Sequence, residues 1–146
     1  MQSATLPANE AHRRWALRQY DVLDLAREAL FDEVTSLAAC VRGADCADLF
    51  GRYSRKWFKA CVGLEALETA RSVSFCAHAI LQPCVFIVPD TLAAPRFADN
   101  PLVTGPPNIR FYAGTPLFTA EGHGLGTLCV IDTKPRELSE MQKDAL

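Results

Sequence analysis

Residues 108–132 constrain the fold of this chain more than any other stretch. Asn108-Ile-Arg-Phe-Tyr-Ala-Gly-Thr-Pro-Leu117 alternates apolar and polar residues, breaks at Glu121-Gly-His-Gly124, and resumes as Gly126-Thr-Leu-Cys-Val-Ile-Asp132. Two strand-like runs joined by a glycine-containing loop read as an antiparallel hairpin.

At 146 residues the chain has the length of one domain, and it buries enough surface to fold without disulfide or metal staples. Hydrophobic residues make up 49% and charged residues 22%, which is too apolar for a disordered chain. A net charge of -2 with both signs interspersed leaves no footprint for nucleic acid or for an anionic membrane surface. No apolar run approaches membrane-spanning length, and Met1-Gln-Ser-Ala-Thr-Leu-Pro7 lacks the basic start and apolar core of a signal peptide. The expected location is the cytoplasm. Cys40, Cys46, Cys61, Cys76, Cys84 and Cys129 are scattered through apolar segments with no CxxC pair. In a reducing compartment such residues serve as small core hydrophobes rather than bridges.

Periodicity predicts a helix over about 9–23, with Ala16, Tyr20 and Leu23 inward and Arg13, Arg14 and Arg18 on the surface. A second helix presents Leu30, Val34, Leu37, Ala38 and Val41 as one apolar stripe and ends at Gly43. Lys56 to Val62 reads as a strand closed by Gly63. Ser74 is placed to cap a short helix running to Leu81, which Pro83 stops. Cys84-Val-Phe-Ile-Val88 has strand length, and Thr91 to Pro107 is a long ordered loop with at most a turn or two of helix. After Pro135, Ser139 and Gln142 form a capping box that opens a final helix from about 139, barely begun at Leu146.

Five motifs occur together in one order: Ser74-Phe-Cys-Ala-His-Ala-Ile80, Val88-Pro-Asp90, Pro95-Arg-Phe-Ala-Asp-Asn-Pro-Leu-Val-Thr-Gly105, Arg110-Phe-Tyr-Ala-Gly114 and Gly126-Thr-Leu-Cys-Val-Ile-Asp132. This set resembles the bacterial GAF domains, in the branch often placed ahead of diguanylate cyclase or histidine kinase modules. The resemblance runs from about Ala11 to the C-terminus. It implies a single α/β (α+β) domain over 1–146, with a central, mostly antiparallel sheet of five or six strands and helices on both faces. It further implies a sensor that binds a small molecule or relays dimer geometry to an output module. A homodimer formed through the first and last helices, lying together on one face, is the expected assembly. No cofactor identity follows.

One segment departs from the family. Before Lys56 the family has an apolar strand, central in the sheet and ending in Val-Asp, where this chain reads Cys46-Ala-Asp-Leu-Phe-Gly-Arg-Tyr-Ser-Arg55. Asp48 would bury a carboxylate there, and Gly51 would weaken the strand. Permissible codons for Asp48 to Arg55, read one base along, spell Ile-Ser-Ser-Val-Asp-Thr-Arg, the residues the family has there. A compensated frameshift and a genuinely altered strand are both consistent with this segment.

The candidate ligand-binding residues are Cys76, His78, Asp90, Arg96, Asn100, Arg110 and Tyr112. Arg96 or Arg110 has the geometry to hold a carboxylate or phosphate, with Tyr112 stacking beside it. The alternative is that this polar set ties the long loop to the sheet, since a loop without regular hydrogen bonds needs such anchors. Cys76 and His78 stand two apart and do not share a helix face, so a metal site would need recruits such as His123 or Cys129. Some GAF proteins reduce free methionine sulfoxide with a cysteine at the start of this helix. Here the loop where those reductases place another essential cysteine has none, and Cys84 could resolve only where the intervening helix lets it approach. A third reading is a ligand-free dimerisation domain. His123 is expected to be solvated at a loop tip, and Trp15, Trp57 and Phe58 to make core or dimer contacts.

Overall fold

The computed structural model describes residues 1–20, 29–42, 45–51, 55–63, 68–144 and 146, with side chains for all of these except 39–42, 45–51 and 55–56. Helices α1 (Glu10–Gln19) and α2 (Ala29–Arg42) come first, followed by strands β1 (Asp45–Gly51), β2 (Arg55–Val62) and β3 (Glu68–Ala70). A 3-10 turn at Arg71–Val73 leads into α3 (Cys76–Ala79). Then come β4 (Phe86–Val88), α4 (Pro101–Thr104), β5 (Phe111–Phe118), β6 (Gly124–Asp132) and α5 (Glu140–Asp144). The six strands form one sheet in the order β3-β2-β1-β6-β5-β4. Every neighbouring pair in it is antiparallel.

The expected hairpin is β5–β6. Gly122 takes φ 81° at its tip, where the backbone N–H groups of Thr119 and Gly122 donate to the His123 and Thr119 carbonyls. Left-handed backbone of this kind is open to glycine at no steric cost. Two β6 residues, Gly124 and Leu125, stand where β5 turns from Leu117 to Phe118, so the hairpin carries a bulge. The extra residue, Leu125, packs with Ala16 and Leu17 of α1. Phe111, Tyr112, Ala113 and Gly114 are all buried, because helices or loops cover both faces of the sheet.

Register assigns the faces. On one face Val88, Tyr112, Cys129, Ile131 and Cys61 pack under α3 and the 91–109 loop, through Phe75, Cys76, Phe97, Val103 and Ile109. On the other, Phe111, Ala113 and Val130 meet Ala38, Leu138 and Leu146, while Leu117 and Leu125 meet α1. α1 and the C-terminal residues thus share a face but cover opposite ends of β6. α2 lies on this face too, packing on β1 and β2.

Strand β1 sits inside the sheet between β2 and β6, as the resemblance implied. Its pairing with β2 shifts between Asp48 and Leu49. The Asp48 side chain, like the helical expectations at Leu23 and Gly43, lies outside the described residues. Lys59 is the extra residue of that bulge, since Ala60 faces Asp48 and Phe58 faces Leu49. Its side chain is fully buried, with Nζ 5.4 Å from the Phe31 ring centre and 5.7 Å from that of Trp57.

Both leading helices bury only part of what their periodicity picked out. In α1 the buried set is Arg13, Ala16 and Leu17, and Tyr20 is exposed. Arg13 is a correction: its Nε and Nη2 donate to Glu10 at 2.7 and 2.8 Å, and that pairing lets the guanidinium leave water. Arg71 approaches the same carboxylate at 3.7 Å. In α2, Ala38 faces the sheet as expected, but Leu30, Val34 and Leu37 are exposed, and Phe31 and Thr35 turn inward in their place. Ser74 does not cap α3; Phe75 is the N-cap, with no side-chain capping bond. The final helix matches its expectation closely. Ser139 N–H donates to Gln142 Oε1 at 3.0 Å, and Gln142 N–H returns to Ser139 Oγ at 3.3 Å.

Candidate functional site

The α3 face of the sheet gathers the sequence-derived candidates around one aromatic stack. Phe75 lies 4.5 Å from Phe97 and 5.2 Å from Tyr112, centre to centre, and Phe86 adds a tilted contact to Tyr112 at 5.9 Å. The His78 ring meets Phe97 edge-on at 5.0 Å. Such ring pairs contribute about 0.5–1.5 kcal/mol each beyond the area they bury.

Within this apolar setting sits a polar pocket. Tyr112 and Gly114 point to the same face two residues apart, and the phenol lies flat along the strand over Gly114. A Cβ at Gly114 would stand 2.2 Å from Tyr112 Oη. Cys129 is directly across from Gly114, and Thr127 is across from Pro116. The Tyr112 hydroxyl and the Thr127 hydroxyl are both fully buried and have no hydrogen-bond partner among the described residues. Burial, then the neighbouring Cys76 and Cys129 thiols, push the Tyr112 phenol well above its ordinary value. The Cys76 thiol donates to the Cys129 sulfur at 3.9 Å. Burying an unpartnered hydroxyl costs about 1–3 kcal/mol, so the Tyr112 and Thr127 hydroxyls are costly groups to hold in this apolar setting.

The remaining candidates lie at the rim. Asn100 is buried; its Oδ1 accepts from Leu102 N–H at 2.9 Å, and its Nδ2 donates to the Val73 carbonyl at 2.8 Å. Asn100 therefore both caps α4 and ties the loop to the turn ahead of α3. Arg110 donates through Nη1 to the Val103 and Ile109 carbonyls at 2.8 and 3.1 Å. Asp90 accepts from Leu92 N–H at 2.9 Å in a local turn. These three spend polar groups on holding the 91–110 segment. Arg96 is exposed, beside a groove of about 520 Å³ lined by Phe86, Val88, Asp90 and Phe97. The chain's first residues reach the same loop: Gln2 N–H donates to the Arg96 carbonyl, and the Met1 ammonium pairs with Asp99.

Thr127 is the site residue that sequence reasoning missed. Its signal was the two-residue alternation Thr127, Cys129, Ile131, which places all three on the face of Tyr112. The structure brings Cys129, not Cys84, to Cys76; Cys84 is exposed. Among the described residues no three His, Cys, Asp or Glu side chains converge as metal ligands. His123, expected in solvent, is half-buried and tethered to Asn9 through Nδ1 at 3.0 Å. Trp15 is exposed on α1, while Phe58 packs against the α3-side core.

A family model described as the GAF domain matches residues 19–146. The chain is 43% identical over 137 residues to a cyclic di-GMP phosphodiesterase of Pseudomonas aeruginosa, covering 93% of this chain and 23% of that protein. It therefore spans about a quarter of its relative's length. Among solved structures, the GAF domain of a phosphoenolpyruvate-protein phosphotransferase from Coxiella burnetii superposes with a TM-score of 0.65 at 16% identity, over 94% of this chain and 87% of that one. The free methionine-R-sulfoxide reductase of Neisseria meningitidis, solved with its substrate, gives 0.63 at 17% identity, over 98% and 87%. At such identities the likeness is one of fold alone. The motif order along the sequence, the antiparallel sheet covered on both faces and the family match over 19–146 agree: this chain belongs to the GAF domain family.

Proposed function

We propose that this GAF domain is a cytoplasmic regulatory module that senses a small molecule and biases an attached output module of the cyclic-dinucleotide or histidine-kinase kind. The observation that carries this reading is the match to about a quarter of a cyclic di-GMP phosphodiesterase. A segment of that size, in a fold shared with domains of several enzymes, is a part serving a larger protein. The ligand site is the α3 face, with Tyr112 and Thr127 as polar anchors, Cys76 and His78 beside them, and Arg96 at the outer groove. Asn100, Arg110 and Asp90 hold the loop that closes it. A ligand changes output only by preferring one arrangement of the helices, so binding at α3 must alter how the opposite face is covered. That opposite face, with Trp15, Leu30, Val34 and Leu37 exposed, is the proposed homodimer surface.

Native mass spectrometry of the purified chain, before and after mild denaturation, with a visible absorption spectrum, tests the proposal. An added small-molecule mass or a chromophore band that falls at least tenfold in Tyr112→Phe is the expected result. A clean protein mass that stays clean when metabolite extracts are added would move the function to dimerisation and relay alone.

A further inference from the structure

We infer that Cys76 and Cys129 form an oxidisable pair that hydrogen peroxide or an organic hydroperoxide closes into a disulfide between α3 and β6. The inference does not depend on the sensor reading. Cys76 opens α3, and Cys129 lies midway along β6 on the same face of the sheet. Both are buried, at 4% and 3% exposure, with their sulfurs 3.9 Å apart. A disulfide needs about 2.05 Å between sulfurs, so the pair must close by roughly 1.9 Å. Closing that gap requires side-chain rotation together with a shift of one end of α3.

Three observations favour this chemistry over a packed but inert pair or a metal centre. First, α3 has four residues and no side-chain capping bond, so little regular structure resists its displacement. Phe75, Cys76, Ala77 and Ala79 are all buried, so oxidation must wait on local opening of α3, and burial sets its rate. Second, no third His, Cys, Asp or Glu ligand stands with the pair among the described residues, and His78 turns its ring to Phe97 and Phe86. Third, the Tyr112 and Thr127 hydroxyls beside the thiols are polar groups able to hydrogen-bond a peroxide oxygen or the water released.

The steps balance. One thiol gives up its proton, and its thiolate attacks an oxygen of the hydroperoxide, breaking the O–O bond to give a sulfenic acid and an alkoxide or hydroxide that takes up that proton and leaves as alcohol or water. The second thiolate attacks the sulfenic sulfur, forms the S–S bond and expels the hydroxyl, which leaves as water after taking a proton. The protein loses two hydrogens and the peroxide is reduced by two electrons. The product ties the helix under the aromatic stack to a central strand, so oxidation state and α3 position become linked.

Treat the whole wild-type chain with hydrogen peroxide, unfold it in an alkylating reagent and map its peptides by mass spectrometry. The expected product has lost two hydrogens and links the peptides holding Cys76 and Cys129. Dithiothreitol reverses the link, and Cys84→Ser leaves it unchanged. Recovery of both residues as alkylated thiols, or a bridge from either to another cysteine, would overturn the inference. A Cys129→Ser variant, checked for native circular dichroism, adds a second readout. Its Cys76 should then be trapped by dimedone as the sulfenic acid, and an unreacted Cys76 thiol in a folded variant also counts against the pair. If that variant does not fold, the wild-type map alone decides. A positive map with no bound ligand, or the reverse, separates this inference from the sensor proposal.

Discussion

At the scale of single residues, Tyr112 and Gly114 depend closely on one another. The phenol occupies the space a Cβ at Gly114 would need, with Oη 2.2 Å and Cζ 2.8 Å from that position. Gly114→Ala should therefore destabilise the chain by about 2–3 kcal/mol, an overpacking cost. Adding Tyr112→Phe should recover part of it, by removing the closest atom. Urea denaturation of the two single variants and the double variant gives the coupling directly. Tyr112→Phe alone should raise stability by about 1 kcal/mol in ligand-free protein, because a buried hydroxyl without a partner disappears. Glu10 offers a pH test. Burial works to raise its carboxyl, but the hydrogen bond and charge of Arg13, with Arg71 and Arg14 behind, bring it below its ordinary 4.5. A carboxyl lowered on folding stabilises the native state above pH 4.5, and that contribution is lost as pH falls through the folded value. Glu10→Gln should cost about 2–3 kcal/mol near neutral pH through lost charge-assisted hydrogen bonds. The gap from wild type should narrow at about pH 3.5, read from urea midpoints at the two conditions.

Among the elements, α2 teaches most about reading helices. Its expected stripe, Leu30-Val34-Leu37-Ala38-Val41, adjoins a second, Phe31-Thr35-Ala38, and the two share Ala38. Hydropathy favours the first, yet the second faces the sheet. Amphipathic spacing identifies a helix but cannot choose between adjacent stripes of similar width. The choice rests on what the sheet presents, and here Lys59, lifted by a bulge in β2, places its cation beneath Phe31. Phe31→Ala should cost about 2–3 kcal/mol in thermal or urea unfolding, less than a fully buried phenylalanine because it is only partly covered. Polar substitutions at Leu30 and Leu37 should change monomer stability by no more than about 0.5 kcal/mol. α5 shows the opposite case. Its capping box is visible in the sequence because both partners lie three residues apart, and no distant residue has to arrive for it to form.

For the molecule as a whole, the two faces of the sheet are covered differently. The α3 face encloses the aromatic stack, the two unpartnered hydroxyls and the thiol pair. The helical face leaves Trp15, Leu30 and Leu37 in solvent at 64%, 68% and 67% exposure. The two layers meet through β6, the strand that α1, α2 and α3 all touch. If the helical face forms the homodimer, Leu30→Glu with Leu37→Glu should convert the dimer to monomer in sedimentation velocity and leave the α3-face ligand in place. A dimer that survives both charges would move the interface elsewhere.

The sequence by itself determined the hairpin, its glycine turn, the final capping box, the long loop before it and the family, because each rests on residues close together in the chain. Local rules are strong there: a turn needs its glycine, and a cap needs its partner three residues on. Only the tertiary structure decided which stripe of α2 is buried, that Arg13 leaves water with Glu10, and that Cys76 meets Cys129 rather than Cys84. These outcomes depend on partners distant in sequence, Cys76 and Cys129 being 53 residues apart. Burial of a charge, a thiol or a helix face is a property of the assembled layers, so it becomes definite only when the sheet has formed and both its faces are covered.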